Sequence, residues 1–173
     1  MWAERTDWLK SLRQTRDAFQ EELAELAVED DPSTRSAGSG QAGSFDKLRM
    51  ASGRRPMHPM FVSQTLRKFV DDDTVMVFDG GDYCHFFRAS FKANRPYSWL
   101  YVSSFGMIGV GVPYALGAQA AFPKRRVVLV VGDGSFGFNG MEIDTAVRHN
   151  LPVVMVLGNN AIWGIDWQIQ KGL

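Results

Sequence analysis

The sequence has almost no cysteine. Cys84 stands alone among 173 residues, so no disulfide can form within the chain. The setting this favours is a reducing one, the cytoplasm. Nor is there a surplus of either charge, with 19 Lys+Arg against 19 Asp+Glu. Nucleic acid and anionic membranes attract a basic surplus, so neither is expected as a partner. No apolar run approaches the roughly 20 residues that span a bilayer. The opening residues, Met-Trp-Ala-Glu-Arg-Thr-Asp, hold no apolar segment of the signal-peptide kind. Histidine is scarce, and His85 and His149 read as solvated or structural. What the chain does have is 45% hydrophobic residues, enough to pack one domain of ordinary size.

Three regions differ in composition. Residues 1–28 suit a helix, with Trp8, Leu9, Leu12, Phe19, Leu23 and Leu26 tending to one face. Residues 29–55 are rich in Asp, Ser, Gly, Arg and Ala. They offer too little apolar surface to offset ordering entropy and read as a linker. From residue 56 the pattern becomes that of a folded domain. A helix is expected over 59–70, then Asp71-Asp72-Asp73 as a solvated helix end. A short strand follows at 74–78, then the turn Asp79-Gly80-Gly81-Asp82 and a helix over 83–91.

The stretch 105–122 (FGMIGVGVPYALGAQAAF) is apolar and holds four glycines. Each would weaken an exposed helix by ~1 kcal/mol relative to Ala. A buried helix whose backbone is closely approached would explain them. Residues 126–131 (RVVLVV) and 152–157 (PVVMVL) are continuous apolar runs, as in strands covered on both faces. A helix is expected between them, over 141–150. Alternating strands and helices imply parallel crossovers and an α/β, doubly wound sheet.

Gly132-Asp133-Gly134-Ser135-Phe136-Gly137 lies between one of these strands and a helix and satisfies G-x-G-x-x-G. Its glycines would let backbone N–H groups approach a diphosphate, and the helix would add the positive end of its dipole. Two features weigh against a nicotinamide or flavin dinucleotide. Asp133 would repel a diphosphate unless a cation lay between them, by ~4 kcal/mol at 4 Å and an effective dielectric of 20. The next strand ends in Gly158-Asn159-Asn160, where a dinucleotide fold wants Asp or Glu for the ribose. A carboxylate, an amide oxygen, carbonyls, water and phosphate oxygens would suit octahedral Mg²⁺.

Gly132-Asp133-Gly134, a spacer of 24 residues and Asn159-Asn160 resemble the metal–diphosphate signature of thiamine diphosphate (ThDP) enzymes. The segment 105–118 resembles the one beneath the cofactor in the acetolactate synthase group. The segment 136–152 resembles oxalyl-CoA decarboxylases and 2-hydroxyacyl-CoA lyases. The resemblance covers about residues 56–173. It implies the ThDP-binding fold, as a diphosphate-binding domain truncated at its C-terminal end. Residues 1–28 would then be the tail of a preceding domain.

What the resemblance implies for individual residues is specific. Asp133 and Asn160 would bind Mg²⁺ through side chains and Ile162 through its carbonyl. Gly132, Gly134 and Ser135 would hold the diphosphate, and Asp82 would contact it from the preceding strand end. Gly106 would accept a hydrogen bond from the aminopyrimidine. Ile108 would bend the cofactor so that its 4′-imino nitrogen meets the thiazolium C2–H, general-base catalysis by the cofactor on itself. The reaction would make or break a C–C bond beside a carbonyl in a 2-keto acid or acyl-CoA substrate. The glutamate that activates the pyrimidine belongs, in this family, to a separate pyrimidine-binding domain of the same or a neighbouring subunit. No segment of this chain resembles that domain. A partner domain, a homo-oligomeric full enzyme and an inactive isolated chain are therefore expected.

Plainer readings stand beside these. Asp133 and Asp82 could each cap a helix, and Asn159-Asn160 could be a turn. Gly109, Gly111 and Gly117 could serve tight helix packing. Trp163 and Trp167 could line a substrate pocket or pack a core, and Cys84 could be a small core side chain. Asp166, where acetolactate synthases tend to be apolar, favours the CoA-linked lyases. Gly134, where those enzymes often carry Ser, favours acetolactate synthase. A Rossmann module and a non-catalytic fragment are the remaining alternatives.

Overall fold

Of three continuous apolar runs, two are sealed within a parallel sheet and the third lies at an edge of the described sheet. In a computed structural model, residues 57–102 and 105–172 are described, with Lys10, Arg13, Gln14, Thr15, Asp17, Ala18 and Glu21. Those seven leading residues are helical and belong to the first of two units, Met1–Leu66. The linker expected over 29–55 lies outside the described residues. The first unit also holds most of helix α1 (Pro59–Arg67), where the Met60 N–H donates to His58 Nδ1 at 3.1 Å.

The second unit, Arg67–Leu173, carries the sheet. Its elements are β1 (Val75–Asp79), α2 (Asp82–Ser90), β2 (Trp99–Leu100), α3 (Gly111–Ala121) and β3 (Val127–Gly132). Then come α4 (Asp133–Asn139), a 3-10 turn (Gly140–Glu142), α5 (Ile143–Arg148), β4 (Val153–Gly158) and α6 (Gly164–Gly172). The strand order is β2-β1-β3-β4 and every pairing is parallel. The chain steps from β1 out to β2, then crosses back to β3. The carboxyl ends of β1 and β3 thus flank the switch point, where ligands of such folds bind.

Side-chain alternation divides the core. Val75, Val77, Val127, Leu129 and Val131 point to one face and pack with Val112, Ala115 and Leu116 of α3. On the other face Phe78 meets Phe91 at 6.4 Å and Trp99 at 4.8 Å between ring centroids. Burying each such side chain contributes about 1.5–3 kcal/mol. At the opposite end from the switch point, Thr74 Oγ1 donates to Asp71 at 2.7 Å, holding that carboxyl below its usual range. Asp73 pairs with Arg95 and Arg125. The acidic run is therefore tied to Thr74, Asn94, Arg95 and Arg125, beyond a merely solvated helix end.

Four expectations need correction. Residues 105–110 are not helical: positive φ at Gly106 (57°) and Gly109 (92°) keeps them out, and α3 starts at Gly111. The helix expected over 141–150 is split, its first turn wound as 3-10. β4 is not covered on both faces: Val154 and Leu157 are exposed, and the strand lies at an edge of the described sheet. Gly117 has open space at its Cβ position, so close packing does not explain it.

Cys84 is fully buried, with Sγ 2.8 Å from the Asp79 carbonyl and 3.2 Å from that of Val130. Burial pushes its thiol up to about 12. Since the thiolate is the reactive form, Cys84 is expected to resist maleimide at pH 8 until the protein is unfolded. Intact-mass measurement with and without denaturant checks this; rapid labelling of folded protein would contradict the buried placement.

Candidate functional site

The carboxyl ends of β1, β3 and β4 each finish in glycine or lead straight into it. Gly132 of β3 and Gly158 of β4 are in register, so the two chains leave the sheet together. Each glycine has a local reason. Gly158 lies under the Tyr83 ring, where a Cβ would come within 2.5 Å of ring carbon. Gly80, at φ 116°, faces Ser135 Oγ. Gly132 has open space where a Cβ would stand, leaving its backbone approachable.

Asp133 is the first residue of α4, whose N-cap is Gly132, so Asp133 is not the cap. Its Oδ2 accepts the Ala161 N–H at 2.8 Å, across the gap between the β3 and β4 ends. Asn159 Oδ1 accepts the same N–H at 2.9 Å, and Asn160 Oδ1 accepts the Ile162 N–H at 3.1 Å. Ala161 takes φ 59°, unusual for a residue with a Cβ. This tight reversal gathers one carboxylate oxygen and two amide oxygens around successive backbone amides. That is a hard-oxygen donor set, the kind that suits Mg²⁺. Among the described residues no three His, Cys, Asp or Glu side chains gather as a metal cluster; the set here has one carboxylate.

Asp82 opens α2 after Gly81 and makes no side-chain cap either. Its Oδ2 accepts Gln168 Nε2 at 3.2 Å. Asp82 and Asn160 approach the same point on Gly164, at 3.9 and 3.2 Å from its Cβ position. The start of α6 therefore sits against the crevice. Ile165 packs on Gly81, and the Trp163 indole lies against Gly134, with Phe138 at 6.0 Å between ring centroids. Ser135 is buried, whereas Asn160 is exposed and Ile162 half-buried. The Trp167 N–H donates to the Trp163 carbonyl at 2.9 Å, and Lys171 Nζ lies 3.8 Å from the Trp167 ring centroid.

Gly106 and Ile108 lie on the 105–110 loop, Gly106 exposed and Ile108 half-buried. The loop reaches the rest of the site through Gly109. The Gly109 N–H donates to Asp79, at 3.0 Å to Oδ2, and its carbonyl accepts Asn139 Nδ2. The Gly111 N–H donates to Asp79 Oδ2 at 2.7 Å. Asp79 is only 2% exposed. Burial pushes its carboxyl above the ordinary range, and the Gly111, Gly109 and Gly80 amides pull it back. Asp79 and Asn139 are the participants that sequence reasoning missed. Asp79 looked like the first residue of a turn, and nothing local marks a carboxylate bonded 30 and 32 residues away.

A Cβ at Gly111 would lie 2.6 Å from Asp79 Cβ. Gly111→Ala is therefore expected to destabilise the protein by about 1–3 kcal/mol, the range for overpacked sites. Gly117→Ala, with open space, should be neutral or slightly stabilising by helix propensity. Urea unfolding of both variants checks the contrast.

A family model described as thiamine pyrophosphate enzyme, C-terminal TPP binding domain, matches residues 79–171. A probable acetolactate synthase of Mycobacterium bovis is 44% identical over 125 residues, 72% of this chain and 23% of that protein. A 2-hydroxyacyl-CoA lyase 2 of Caenorhabditis elegans is 35% identical over 158 residues, 91% of this chain and 21% of that protein. The human protein of that name is 37% identical over 107 residues, 62% of this chain and 17% of that protein. The chain thus spans less than a quarter of the length of these curated relatives.

Proposed function

Given that the chain belongs to the thiamine pyrophosphate enzymes, as a C-terminal TPP-binding domain, we propose that it binds the diphosphate of ThDP through Mg²⁺. The reaction it serves is cleavage or formation of a C–C bond next to a carbonyl. The observation that carries this reading is the convergence of Asp133, Asn159 and Asn160 oxygens where two parallel strands end in register.

The residues fit the group. Asp133 and Asn160 supply side-chain oxygen to the metal, and Ile162 its carbonyl. Gly132, Gly134 and Ser135 offer N–H groups at the start of α4 to the phosphates, as helix N-termini do. Trp163 and Ile165 are seated on Gly134 and Gly81 and must shift for phosphate to lie against those glycines. Gly106 and Ile108 face the other end of the cofactor. When bound, ThDP supplies the electron sink for a carbanion beside the carbonyl.

An acetolactate synthase-like decarboxylation and carboligation of 2-keto acids is the first reading of the substrate, from the 44% identity. The CoA-linked lyase is the second, favoured by the 91% coverage of this chain in that alignment and by the charged, exposed Asp166. A pyrimidine-binding domain would cover the face carrying Phe105, Met107 and Phe138, all exposed. The single cysteine is compatible with a reducing setting, and cytoplasmic residence belongs to this reading.

Calorimetry with ThDP and Mg²⁺, set against NAD, tests the cofactor. Heat with ThDP that vanishes in EDTA is expected, and none with NAD. Binding of NAD alone would restore the Rossmann reading, and binding of neither by folded protein would favour a non-catalytic domain.

A further inference from the structure

We propose that Asp79 is a positioning residue: with Asn139 it holds the 106–111 loop in the shape that receives the pyrimidine end of ThDP. The inference rests on the cofactor reading above and adds a buried residue whose carboxylate bonds the Gly109 and Gly111 amides, not the groups assigned to phosphate and metal.

The loop needs an external hold. Residues 105–110 have no helix or strand ladder, and ordering each costs roughly 1–2 kcal/mol of backbone entropy. Gly109 is held on both sides of its own residue: N–H by Asp79, carbonyl by Asn139. The two holders come from different elements, the end of β1 and the end of α4. Both are regular elements of the fold, the right support for a loop that must keep one shape.

The fit is mutual. Gly111 leaves no room for a Cβ because Asp79 is there, and Gly109 leaves none because Phe138 is there, 2.6 Å away in each case. Helix capping accounts for only part of this. The Gly111 N–H opens α3, and a carboxylate there suits the helix dipole. Gly109 lies outside the helix, two residues upstream, and both Asp79 oxygens reach its N–H, at 3.2 and 3.0 Å. A buried carboxylate is costly unless its oxygens are bonded. The loop amides supply those bonds, so loop shape and carboxylate depend on each other. The loop is then preordered, and binding spends less on arranging it.

The test uses the full chain, Asp79→Asn and Asn139→Ala. Affinity is measured for ThDP with Mg²⁺ and for inorganic pyrophosphate with Mg²⁺, and amide exchange is followed at Gly109 and Gly111. Both variants should bind ThDP on the order of 10-fold more weakly, the size of one lost buried hydrogen bond. Pyrophosphate affinity should stay unchanged, and Gly109 should exchange faster. Equal loss for both ligands, or unchanged ThDP affinity, would overturn the positioning role, since a merely structural defect cannot select one end of the cofactor. If Asp79→Asn does not fold, Asn139→Ala reads the same clamp alone. Should the wild type bind neither ligand, the cofactor reading falls. Gly109 exchange still judges the clamp in that case, and protection unchanged in the variant would overturn it.

Discussion

Asp133→Ala is expected to abolish Mg²⁺-dependent binding of ThDP. The substitution removes the one carboxylate of the donor set and the acceptor of the Ala161 N–H. Two opposite unit charges at 4 Å attract by ~4 kcal/mol at an effective dielectric of 20, roughly a thousandfold in affinity. Asp133→Asn keeps an oxygen for Ala161 while losing the charge, so it separates the metal ligand from the support of the reversal. Asn160→Ala should act in the same direction and more weakly, because a neutral ligand is lost. Titration calorimetry with and without EDTA reads all three. ThDP binding to Asp133→Ala at wild-type strength in EDTA would show that no metal bridges protein and diphosphate.

The second large effect is negative. The 173-residue chain alone should release no CO₂ from pyruvate and form no acetolactate, even with saturating ThDP and Mg²⁺. By family resemblance, the glutamate that activates the pyrimidine sits on a separate domain, and no segment here resembles it. The face around Gly106 is also open, with Phe105 81% and Met107 51% exposed. A pyrimidine held there would stand in water, without the dry surroundings that strengthen electrostatic stabilisation. The same apolar face should make the chain self-associate, visible as concentration-dependent sedimentation. Assays with and without an added pyrimidine-binding domain form the comparison. Turnover by the chain alone at about 1 s⁻¹ or faster, an ordinary enzyme rate, would show that the site is complete.

Much of the architecture was legible because its main strands are written as unbroken apolar runs. Val127–Val131 is buried throughout and pairs on both sides. The loop 132–135 and the reversal at 159–160 were legible from Gly and Asn at strand ends. β2 was not, because two residues cannot display a period. The bend at 105–110 was hidden too: apolar content there imitates a buried helix, and only positive φ at Gly106 and Gly109 breaks it. α6 escaped notice because its polar face outweighs Ile165 and Ile169. The edge position of β4 is a property of the sheet, which Pro152–Leu157 cannot express by itself. Asp79 was illegible for a related reason: its partners are set by tertiary contact over 30 residues of chain.

The crossing from β2 back to β3 also governs how this domain is made. β1 stays without its central partner until residues near 127 arrive, and the tie from Arg125 Nε to the Asp73 carbonyl spans 52 residues. Loop-closure entropy must be met before that pairing returns any contact. The Asp79 clamp, the Gly132 loop and the Asp133–Ala161 bond all lie beyond this step. Refolding should then show backbone helix signal rising early and ligand binding recovering only with the slowest phase, because a partly zipped sheet possesses no site at all.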